Sequence, residues 1–370
     1  MPDQAEFTGR VALQQRVAPD YRAAFFDRLA SACSGGLDVF AGHPRPDEGI
    51  VAVDRLAIAR MTPARNRHIL RGPFYLCDQP GLEAWLDSTD PDVLILEANP
   101  RYLANRAAVE WMHRRRRPVL GWGLGAHAAR GLPGKIRSWF RRRYLHEFDG
   151  LIAYSSLGAA QYRAMGFPAQ RVFVAANAVL PAPAVLAART PIEGRQPRLL
   201  FVGRLQSRKR VDLLLRAGAR LSPQAEIWIA GDGPARADLE RLARELGGPT
   251  RFTGDVRGSA LDALFNQADV FVLPGTGGLA VQQAMAHGLP VIVAEGDGTQ
   301  SDLVSPANGW LIPAGSEQAL MTALDQALED PVRLLSMGAE SYRLAVERFN
   351  IDAMAAAFVR ALNAVARVRS

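Results

Sequence analysis

The sequence predicts an α/β protein made of two doubly wound domains, each with a parallel sheet covered by helices on both faces. Short apolar, β-branched runs alternate along the chain with longer alanine- and leucine-rich stretches, as strands and crossover helices do. Most of these runs are apolar throughout, which is typical of strands buried on both faces. The length of 370 residues exceeds one ordinary core and favours two domains.

The strand candidates form two series separated by a proline-rich segment. They cover residues 11–15, 38–41, 93–97, 119–122, 151–154 and 172–175, and then 198–202, 226–230, 270–273, 291–294 and 310–312. Residues 181–197 contain four prolines and little periodicity, so we interpret them as a linker between domains of residues 1–180 and 198–351. The amphipathic stretch 352–367 predicts a final helix that can pack on either domain, including back on the first.

The composition excludes several classes of protein. With 48% hydrophobic and 22% charged residues, the chain is not disordered over most of its length. Apolar runs shorter than the ~18 residues of a membrane span argue against an integral membrane protein. The first residues do not resemble a secretory signal. Two cysteines, Cys33 and Cys77, are too few for a disulfide framework, so we expect the reducing cytoplasm.

The chain is basic, and its cations are almost all arginine. The net charge of +7 comes from 44 basic and 37 acidic residues, and only Lys135 and Lys209 are lysines. Genomic base composition explains a general replacement of lysine by arginine. Two positions that keep lysine despite this bias are therefore candidates for a specific role. A basic excess fits phosphate ligands, an anionic membrane surface or nucleic acid.

Two cations follow the first strand of the second series. Gly203 lets the chain turn sharply there, and Arg204 and Lys209 lie just beyond it. Arginine binds phosphate bidentately, whereas lysine acts as a compact point charge. These residues form either a phosphate clamp or the solvated start of a helix, since their neighbours are basic as well.

A glycine-rich turn joins the strand 270–273 to a helix. Three of the four residues 275–278 are glycine, which is more than a tight turn needs. Unpaired N–H groups at the start of the helix favour a phosphate or pyrophosphate. Gln283 lies one turn after Leu279 and can reach a ligand held there.

The motifs of the second half, taken in order, resemble a known family. GRL…K, AGDGP, FTGDV, ADVFVLPG…GL…QAMAHGLPVI and ANGWLIP make residues 198–313 similar to the nucleotide-sugar half of family-4 retaining glycosyltransferases, which have the GT-B fold. The resemblance implies two Rossmann-like domains that face each other across a cleft. It also implies sugar transfer from a nucleotide diphosphate sugar with retention at the anomeric carbon, without a metal or other cofactor.

The resemblance gives roles to individual residues. Arg204 and Lys209 match the family's pyrophosphate-binding pair, which we expect to act in catalysis, and Val256 matches the contact to the base. The other donor-binding residues that it implies are Gly203, Asp255, Gly277, Gly278, Leu279, Ala280 and Gln283. The family usually has two glutamates where this chain has Gly275 and Gln283, although a polysaccharide-assembling subgroup also reads P-G-x-x-G-L. Gln283 can still bond the ribose hydroxyls, as the second glutamate does.

The first half supplies the residues that we expect on the acceptor side. Arg16 and Tyr21 follow the first strand, as in a similar Y-R…F-F…L pattern of the same subgroup, and Glu97, Asn99 and Arg101 follow the strand 93–97. Glu97 and Arg101 are either a structural pair or acceptor contacts. The apolar stripe that comes after Tyr21 is expected in the core; it consists of Phe25, Phe26 and Leu29.

Two further features of the first half have two interpretations each. The subgroup often reads W-G-H-G, but Leu124 stands where that histidine falls, so His127 is either the substitute that contacts the transferred sugar or a structural histidine. Residues 135–144 predict a basic helix with embedded aromatics. Such a helix either lies on an anionic bilayer or packs its aromatics inward. Nucleic acid is not expected, because no recognition motif accompanies the charge.

The sequence therefore predicts a retaining, metal-independent glycosyltransferase of cell-surface polysaccharide or glycoconjugate synthesis. We expect it in the cytoplasm, at the inner face of the plasma membrane, with a glycan or lipid-linked acceptor. The alternatives are a non-catalytic GT-B protein that binds nucleotide sugars or supports a partner, and an adaptor that uses its arginine clusters on a membrane or nucleic acid.

Overall fold

A computed structural model describes residues 6–126, 132–192, 194–222 and 224–367 of the chain. The chain forms two compact units, the first from residues up to Val179 together with those from Ile351 onward, and the second from Leu180–Asn350. Each unit contains a parallel sheet with helices on its faces, so the predicted α/β class with two doubly wound domains is confirmed.

The strands and helices are numbered in chain order. The strands are β1 (Val11–Val17), β2 (Leu37–Gly42), β3 (Arg60–Pro63), β4 (Arg67–Ile69), β5 (Leu76–Asp78), β6 (Val93–Glu97), β7 (Val119–Gly123), β8 (Gly150–Ala153), β9 (Val172–Val174), β10 (Arg198–Val202), β11 (Glu226–Ala230), β12 (Thr250–Gly254), β13 (Val270–Leu273), β14 (Val291–Ala294) and β15 (Gly309–Ile312). The helices are α1 (Ala23–Ser31), α2 (Leu82–Thr89), α3 (Ala104–Arg114), α4 (Leu132–Leu145), α5 (Ser156–Ala164), α6 (Val211–Gly218), α7 (Arg236–Leu246), α8 (Ser259–Gln267), α9 (Leu279–Ala286), α10 (Gln300–Leu303), α11 (Glu317–Glu329), α12 (Pro331–Glu347) and α13 (Ile351–Ala366).

In both sheets the order in which consecutive strands are added reverses once. The first has the order β3-β2-β1-β6-β7-β8-β9 and the second β12-β11-β10-β13-β14-β15, and the strands in each pair in parallel. Each chain segment builds outward from its first strand and then crosses to that strand's other side. The carboxyl ends of β1 and β6, and of β10 and β13, therefore border the crevices where such sheets bind ligands.

The core of the first unit lies on both faces of its sheet. One face is covered by α1 and α13, with Phe25, Phe26 and Leu29 fully buried as predicted. The ring of Phe358 on α13 lies 4.9 Å from both Phe25 and Trp122. Helix α13 is thus an integral part of the first unit, since it completes that apolar layer.

The sequence did not predict the three short strands β3, β4 and β5. They are only three or four residues long, and each includes polar or charged residues, so they lack the continuous apolar pattern that marks the buried strands. Within the described part of residues 181–197 the structure has neither helix nor strand. Arg189 fastens this segment to the second unit by donating to the carbonyl oxygens of Phe265, Ala268 and His287 at 2.7–3.0 Å.

In the described ranges, no helix is by itself long and apolar enough to span a membrane. In the same residues, one pair of consecutive helices, α12 and α13, reaches that length and composition together, with a bend of 40° between them.

Candidate functional site

The carboxyl edge of the second sheet brings two loops together. The Lys209 Nζ atom after β10 donates to the carbonyl oxygen of Thr276 after β13, at 2.6 Å. The backbone N–H of Thr276 donates to the Arg208 carbonyl oxygen at 3.1 Å, and the Arg208 guanidinium donates to the Thr276 hydroxyl at 3.2 Å. Because β10 and β13 are neighbours, this junction lies at the point where the sheet reverses.

Lys209 stands in an environment that does not favour its charge. Burial, and then the neighbouring Arg208, lower the pKa of Lys209 to about 8, against the opposing pull of Asp297. Its protein hydrogen-bond partner at this edge is a neutral carbonyl oxygen. A phosphate would therefore gain a charge-assisted bond and stabilise the protonated form of Lys209.

Two glycines of these loops have positive φ angles and close neighbours. Gly277 has a φ of 145°, and a Cβ atom on it would lie 2.5 Å from the Lys209 Nζ atom. Gly231 has a φ of 139°, and its Cβ would lie 2.0 Å from the carbonyl oxygen of Gly203. Both positions have a backbone conformation that favours glycine. At Gly231 the side-chain direction is also blocked by backbone, whereas at Gly277 a Cβ atom would displace the end of the Lys209 side chain.

Gly275 is also closed to side chains. A Cβ atom there would lie 2.3–2.5 Å from backbone atoms of Arg208 and Lys209. The resemblance implies a glutamate at this position, and the loop as it stands has no room for that side chain.

The predicted helix start lies beside this junction. Gly278 precedes α9, and Leu279, Ala280 and Gln283 are half-buried. Gln300, which the sequence did not indicate, is buried and donates from Nε2 to the Gly277 carbonyl oxygen at 2.7 Å. This bond fixes the glycine-rich turn, whose N–H groups lie at the start of α9.

The remaining donor-side candidates occupy loops at the same carboxyl edge. Arg204 is exposed on the loop after β10. Asp255 pairs with Arg257 at 2.9 Å in the loop after β12, where Val256 is half-buried. The Gly231 N–H donates to the Gly254 carbonyl oxygen at 2.7 Å and joins this loop to the one after β11.

The carboxyl edge of the first sheet joins Arg16 and Glu97. The Arg16 backbone N–H donates to the Glu97 Oε2 atom at 2.6 Å, and the Arg16 guanidinium pairs with Glu48 at 2.9 Å. Burial raises the pKa of Glu97, although the Arg16 N–H and the charges of Arg22 and Arg16 act against it. This edge thus holds a desolvated carboxylate at the reversal point of the sheet.

A buried arginine lies next to this carboxylate. The Arg22 guanidinium carbon lies 4.3 Å from the centre of the Trp122 ring and 5.3 Å from that of Tyr154. It donates to the Tyr154 hydroxyl at 2.9 Å and to the Gln15 Oε1 atom at 3.3 Å. Tyr21, in contrast, is 40% exposed.

Asn99 and Arg101 continue the edge beyond β6. The Arg101 N–H donates to the Asn99 Oδ1 atom at 3.1 Å, and the Tyr144 hydroxyl donates to the Asn99 carbonyl oxygen at 3.4 Å. The Asn105 side chain donates to the carbonyl oxygen of Glu97 at 2.9 Å. The loop is thereby held to α3 and α4, while the Arg101 side chain is exposed.

His127 lies outside the described residues, whereas part of the basic helix is described. On α4, Trp139 and Phe140 are 56% and 59% exposed, so the interpretation in which both pack inward is wrong. Tyr144, one turn further on, is buried. The exposed pair remains on the surface next to Arg142 and Arg143.

Several residues at the two edges were missed by the sequence analysis. They are Thr276, Gln300, Asn66 and Gln79. Gln79 follows the apolar pair Leu76 and Cys77, and this place in the sequence was the available signal. An amide that is buried there needs a specific hydrogen-bond partner. Among the described residues, no group of three or more His, Cys, Asp or Glu side chains is arranged to hold a metal ion.

Comparisons with known proteins agree with this architecture. A model of Glycosyl transferase 4-like domains matches residues 23–178, and one of Glycosyl transferases group 1 matches residues 186–344. A GDP-mannose-dependent alpha-mannosyltransferase of Mycobacterium tuberculosis is 33% identical over 62% of this chain and 65% of its own length. The sulfoquinovosyl transferase SQD2 of Arabidopsis thaliana is 35% identical over 37% of this chain and 28% of its own.

The chain spans less than two thirds of the length of these curated relatives. Among solved structures, HepE of Anabaena in complex with UDP superposes with a TM-score of 0.72 at 16% identity, over 96% of this chain and 99% of HepE. That likeness concerns the fold. Since the two family models together match most of the chain, one in each unit, the chain belongs to the glycosyltransferases of GT-B fold.

Proposed function

We propose that this chain transfers a sugar from a nucleotide diphosphate sugar to a hydroxyl acceptor, with retention at the anomeric carbon and without a metal or other cofactor. The observation that carries the proposal is the junction of Lys209 with Thr276 at the reversal point of the second sheet. A partly desolvated cation beside the glycine-rich start of α9 suits a diphosphate group.

In this proposal, Arg204 and Lys209 stabilise the charge that develops on the leaving diphosphate. The bond between the anomeric carbon and the diphosphate oxygen breaks as the acceptor oxygen attacks on the same face. The acceptor proton passes to the diphosphate. Preorganised charge of this kind is commonly a major part of catalysis. Gly203, Gly277, Gly278, Leu279 and Ala280 would shape the diphosphate site.

Other donor contacts would come from Asp255 and Val256 near the base and from Gln283 at the ribose. The relatives' names point to different donors, since one is GDP-mannose-dependent, another transfers sulfoquinovose, and HepE was solved with UDP. Residues 274–279 read P-G-x-x-G-L, as in the polysaccharide-assembling subgroup. We therefore assign this chain to surface polysaccharide or glycoconjugate synthesis, with a glycan or lipid-linked acceptor.

We place the acceptor at the carboxyl edge of the first sheet, where Arg16, Tyr21, Glu97, Asn99 and Arg101 follow β1 and β6. We further propose that the protein works at the cytoplasmic face of the plasma membrane, with the α4 residues Trp139 and Phe140 on anionic lipid. Replacing both by serine is expected to lower binding to anionic vesicles in a flotation assay.

The donor proposal is tested by thermal shift with UDP-, GDP-, ADP- and TDP-sugars and the free diphosphates. A ligand that binds only the folded state raises the melting temperature. We expect one nucleotide to do so, and Lys209→Ala to abolish the shift while Arg216→Ala, an exposed arginine on α6, leaves it intact. No shift with any nucleotide would contradict donor binding.

The packing at Gly275 favours one second candidate, a non-catalytic GT-B protein that binds nucleotide sugars or supports a partner. It predicts nucleotide binding without release of nucleoside diphosphate when acceptors are supplied. Transfer of labelled sugar to any acceptor would eliminate this candidate.

A further inference from the structure

The antiparallel hairpin β4–β5 rises from the carboxyl edge of the first sheet. Both of its ends are fixed to the end of β1. Asn66 donates from Nδ2 to the Arg16 carbonyl oxygen at 2.7 Å, and Gln79 donates from Nε2 to the Gln15 carbonyl oxygen at 3.1 Å. Gln79 also donates to the Asn66 Oδ1 atom at 2.8 Å, which ties the two ends to each other.

The hairpin is fixed to the end of β6 as well. The Cys77 N–H donates to the Arg101 carbonyl oxygen, and the Leu103 N–H donates to the Cys77 carbonyl oxygen, both at 2.9 Å. The base of the hairpin therefore adjoins the residues to which we assign the acceptor.

The tip of the hairpin is apolar and exposed. Ile69, Leu70 and Phe74 are 40%, 62% and 75% exposed. Leu70 has a φ of 61°, a conformation that is unfavourable for a leucine and ordinarily taken by glycine. An exposed apolar side chain at such a backbone position points to a function, because a polar turn residue or glycine would be more stable there.

Along the chain, the segment that contains the tip is basic. Between Asp54 and Asp78 the chain has five arginines and no acidic residue, and Arg67 and Arg71 are exposed beside the tip. The first unit as a whole has 27 basic and 18 acidic residues, a net charge of +9, whereas the second has 17 and 19, a net charge of −2. The basic excess of the protein thus belongs to the unit that carries the hairpin.

We propose that the tip of this hairpin enters an anionic lipid leaflet, with Ile69, Leu70 and Phe74 among the acyl chains and Arg67 and Arg71 at the headgroups. This inference rests on the proposed function and narrows it: the acceptor hydroxyl belongs to a membrane-borne lipid, presented beside the base of the hairpin. Exposed apolar side chains flanked by arginines suit an anionic bilayer.

The test uses an environment-sensitive NBD fluorophore on the full chain carrying Phe74→Cys. The native cysteines, Cys33 and Cys77, are 3% and 2% exposed and do not compete for the label. The matched control is Val332→Cys, because Val332 is an apolar residue of similar exposure (71%) in the second unit. Vesicles contain phosphatidylcholine alone or with about 30% phosphatidylglycerol.

With the anionic vesicles we expect a blue shift and quenching by brominated acyl chains at position 74, and neither at position 332. In unlabelled protein, L70S with F74S should weaken vesicle binding roughly tenfold or more, since two buried apolar side chains are lost. V185S with V332S should leave binding unchanged.

Absence of a spectral change at position 74 would overturn the inference. A spectral change at position 74 that occurs without lipid and depends on protein concentration would also overturn it, because it would indicate contact with a second copy of the chain. An equal spectral change with a soluble anionic polymer would overturn it as well. Diphosphate binding by the same labelled protein is measured without lipid. If it fails while lipid insertion holds, the donor proposal is contradicted and the membrane contact stands.

Discussion

Gly275 packs against Arg208 so closely that a Cβ atom on the glycine would lie 2.3 Å from the Arg208 carbonyl oxygen. That same oxygen accepts the backbone N–H of Thr276 at 3.1 Å. The loop after β13 is thereby joined to the loop after β10 through backbone atoms. The geometry places the carbonyl oxygen of Thr276 within reach of Lys209, and it excludes a glutamate from position 275 unless the two loops separate.

Gly275→Ala should therefore destabilise the second unit by about 1–3 kcal/mol, since the methyl group has only backbone to displace. Gly275→Glu should be at least as damaging and should not improve donor binding. Unfolding by urea, followed by circular dichroism, measures the first effect and nucleotide titration the second. Gly248→Ala is the control, because a Cβ on Gly248 meets nothing within 4 Å. Equal stability of the two alanine variants would contradict the close packing of Gly275 against Arg208 and Lys209.

Donor affinity should depend on the protonation of Lys209. Since burial lowers its pKa to about 8, a rise in pH above 8 removes the charge that the diphosphate would bind. The dissociation constant for a nucleoside diphosphate should then rise, by up to about tenfold per pH unit. The ligand's own phosphate is already ionised in this range and does not cause such a loss. Isothermal titration calorimetry in buffers of different ionisation enthalpy would also detect the proton taken up on binding.

Lys209→Arg provides the control for this pH dependence, because a guanidinium stays charged throughout the range. Its affinity should be flat between pH 7 and about 9.5, even if it is weaker overall. If the affinity of Lys209→Arg falls with pH in parallel with that of the natural protein, the titrating group is not Lys209.

The parts of the fold that the sequence predicted are those that depend on local pattern. The bounds of β6, β10, β11, β13 and β14 agree with the prediction, because each is a mostly apolar run ending at polar, proline or glycine residues. The partner of Lys209 could not be predicted in the same way. The contact joins Lys209 to Thr276, which are 67 residues apart, and it depends on β13 lying beside β10. Local periodicity does not predict the order of strands in a sheet.

The hairpin β4–β5 escaped prediction for a related reason. Its strands have three residues each, and it is held by contacts of Asn66 and Gln79 to β1 and by backbone bonds of Cys77, whose side chain is the one in these strands that is buried. Propensity and periodicity have little to detect in such an element. The exposed apolar residues of its tip were visible in the sequence, but their exposure was not.

Gln300 should position the glycine turn without contacting the proposed ligand. Gln300→Leu keeps the volume but leaves the Gly277 carbonyl oxygen without its 2.7 Å bond, so we expect a loss of about 1–3 kcal/mol in unfolding free energy. Nucleotide binding should weaken as the helix start loosens. Gln326→Leu is the matched control, since the bond of Gln326 to Trp310 is exposed. If nucleotide affinity is unchanged while stability falls, Gln300 is purely structural.

Glu97 should make stability depend on pH in a direction opposite to most carboxylates. Burial raises its pKa above the unfolded value, so the ionised form disfavours folding. The penalty is absent below the unfolded pKa of about 4.3 and grows as the pH rises through the folded pKa. Glu97→Gln can still accept the Arg16 N–H and should therefore be more stable than the natural protein at pH 7–8, with the difference vanishing near pH 4.

Glu48 offers the contrasting case on the same edge. Burial acts to raise its pKa, but the bonds from the Arg16 guanidinium and the Arg45 N–H outweigh it and lower the pKa below the ordinary value. The stability from Glu48 is thus present above the unfolded pKa and lost on acidification, so Glu48→Gln should be less stable at pH 7. Urea unfolding of both variants across pH 4–8 checks the opposite signs. A stabilised Glu97→Gln that also fails to transfer sugar would show that the ionised carboxylate is retained for the reaction at a cost in stability, whereas variants with parallel pH profiles would contradict the desolvation of Glu97.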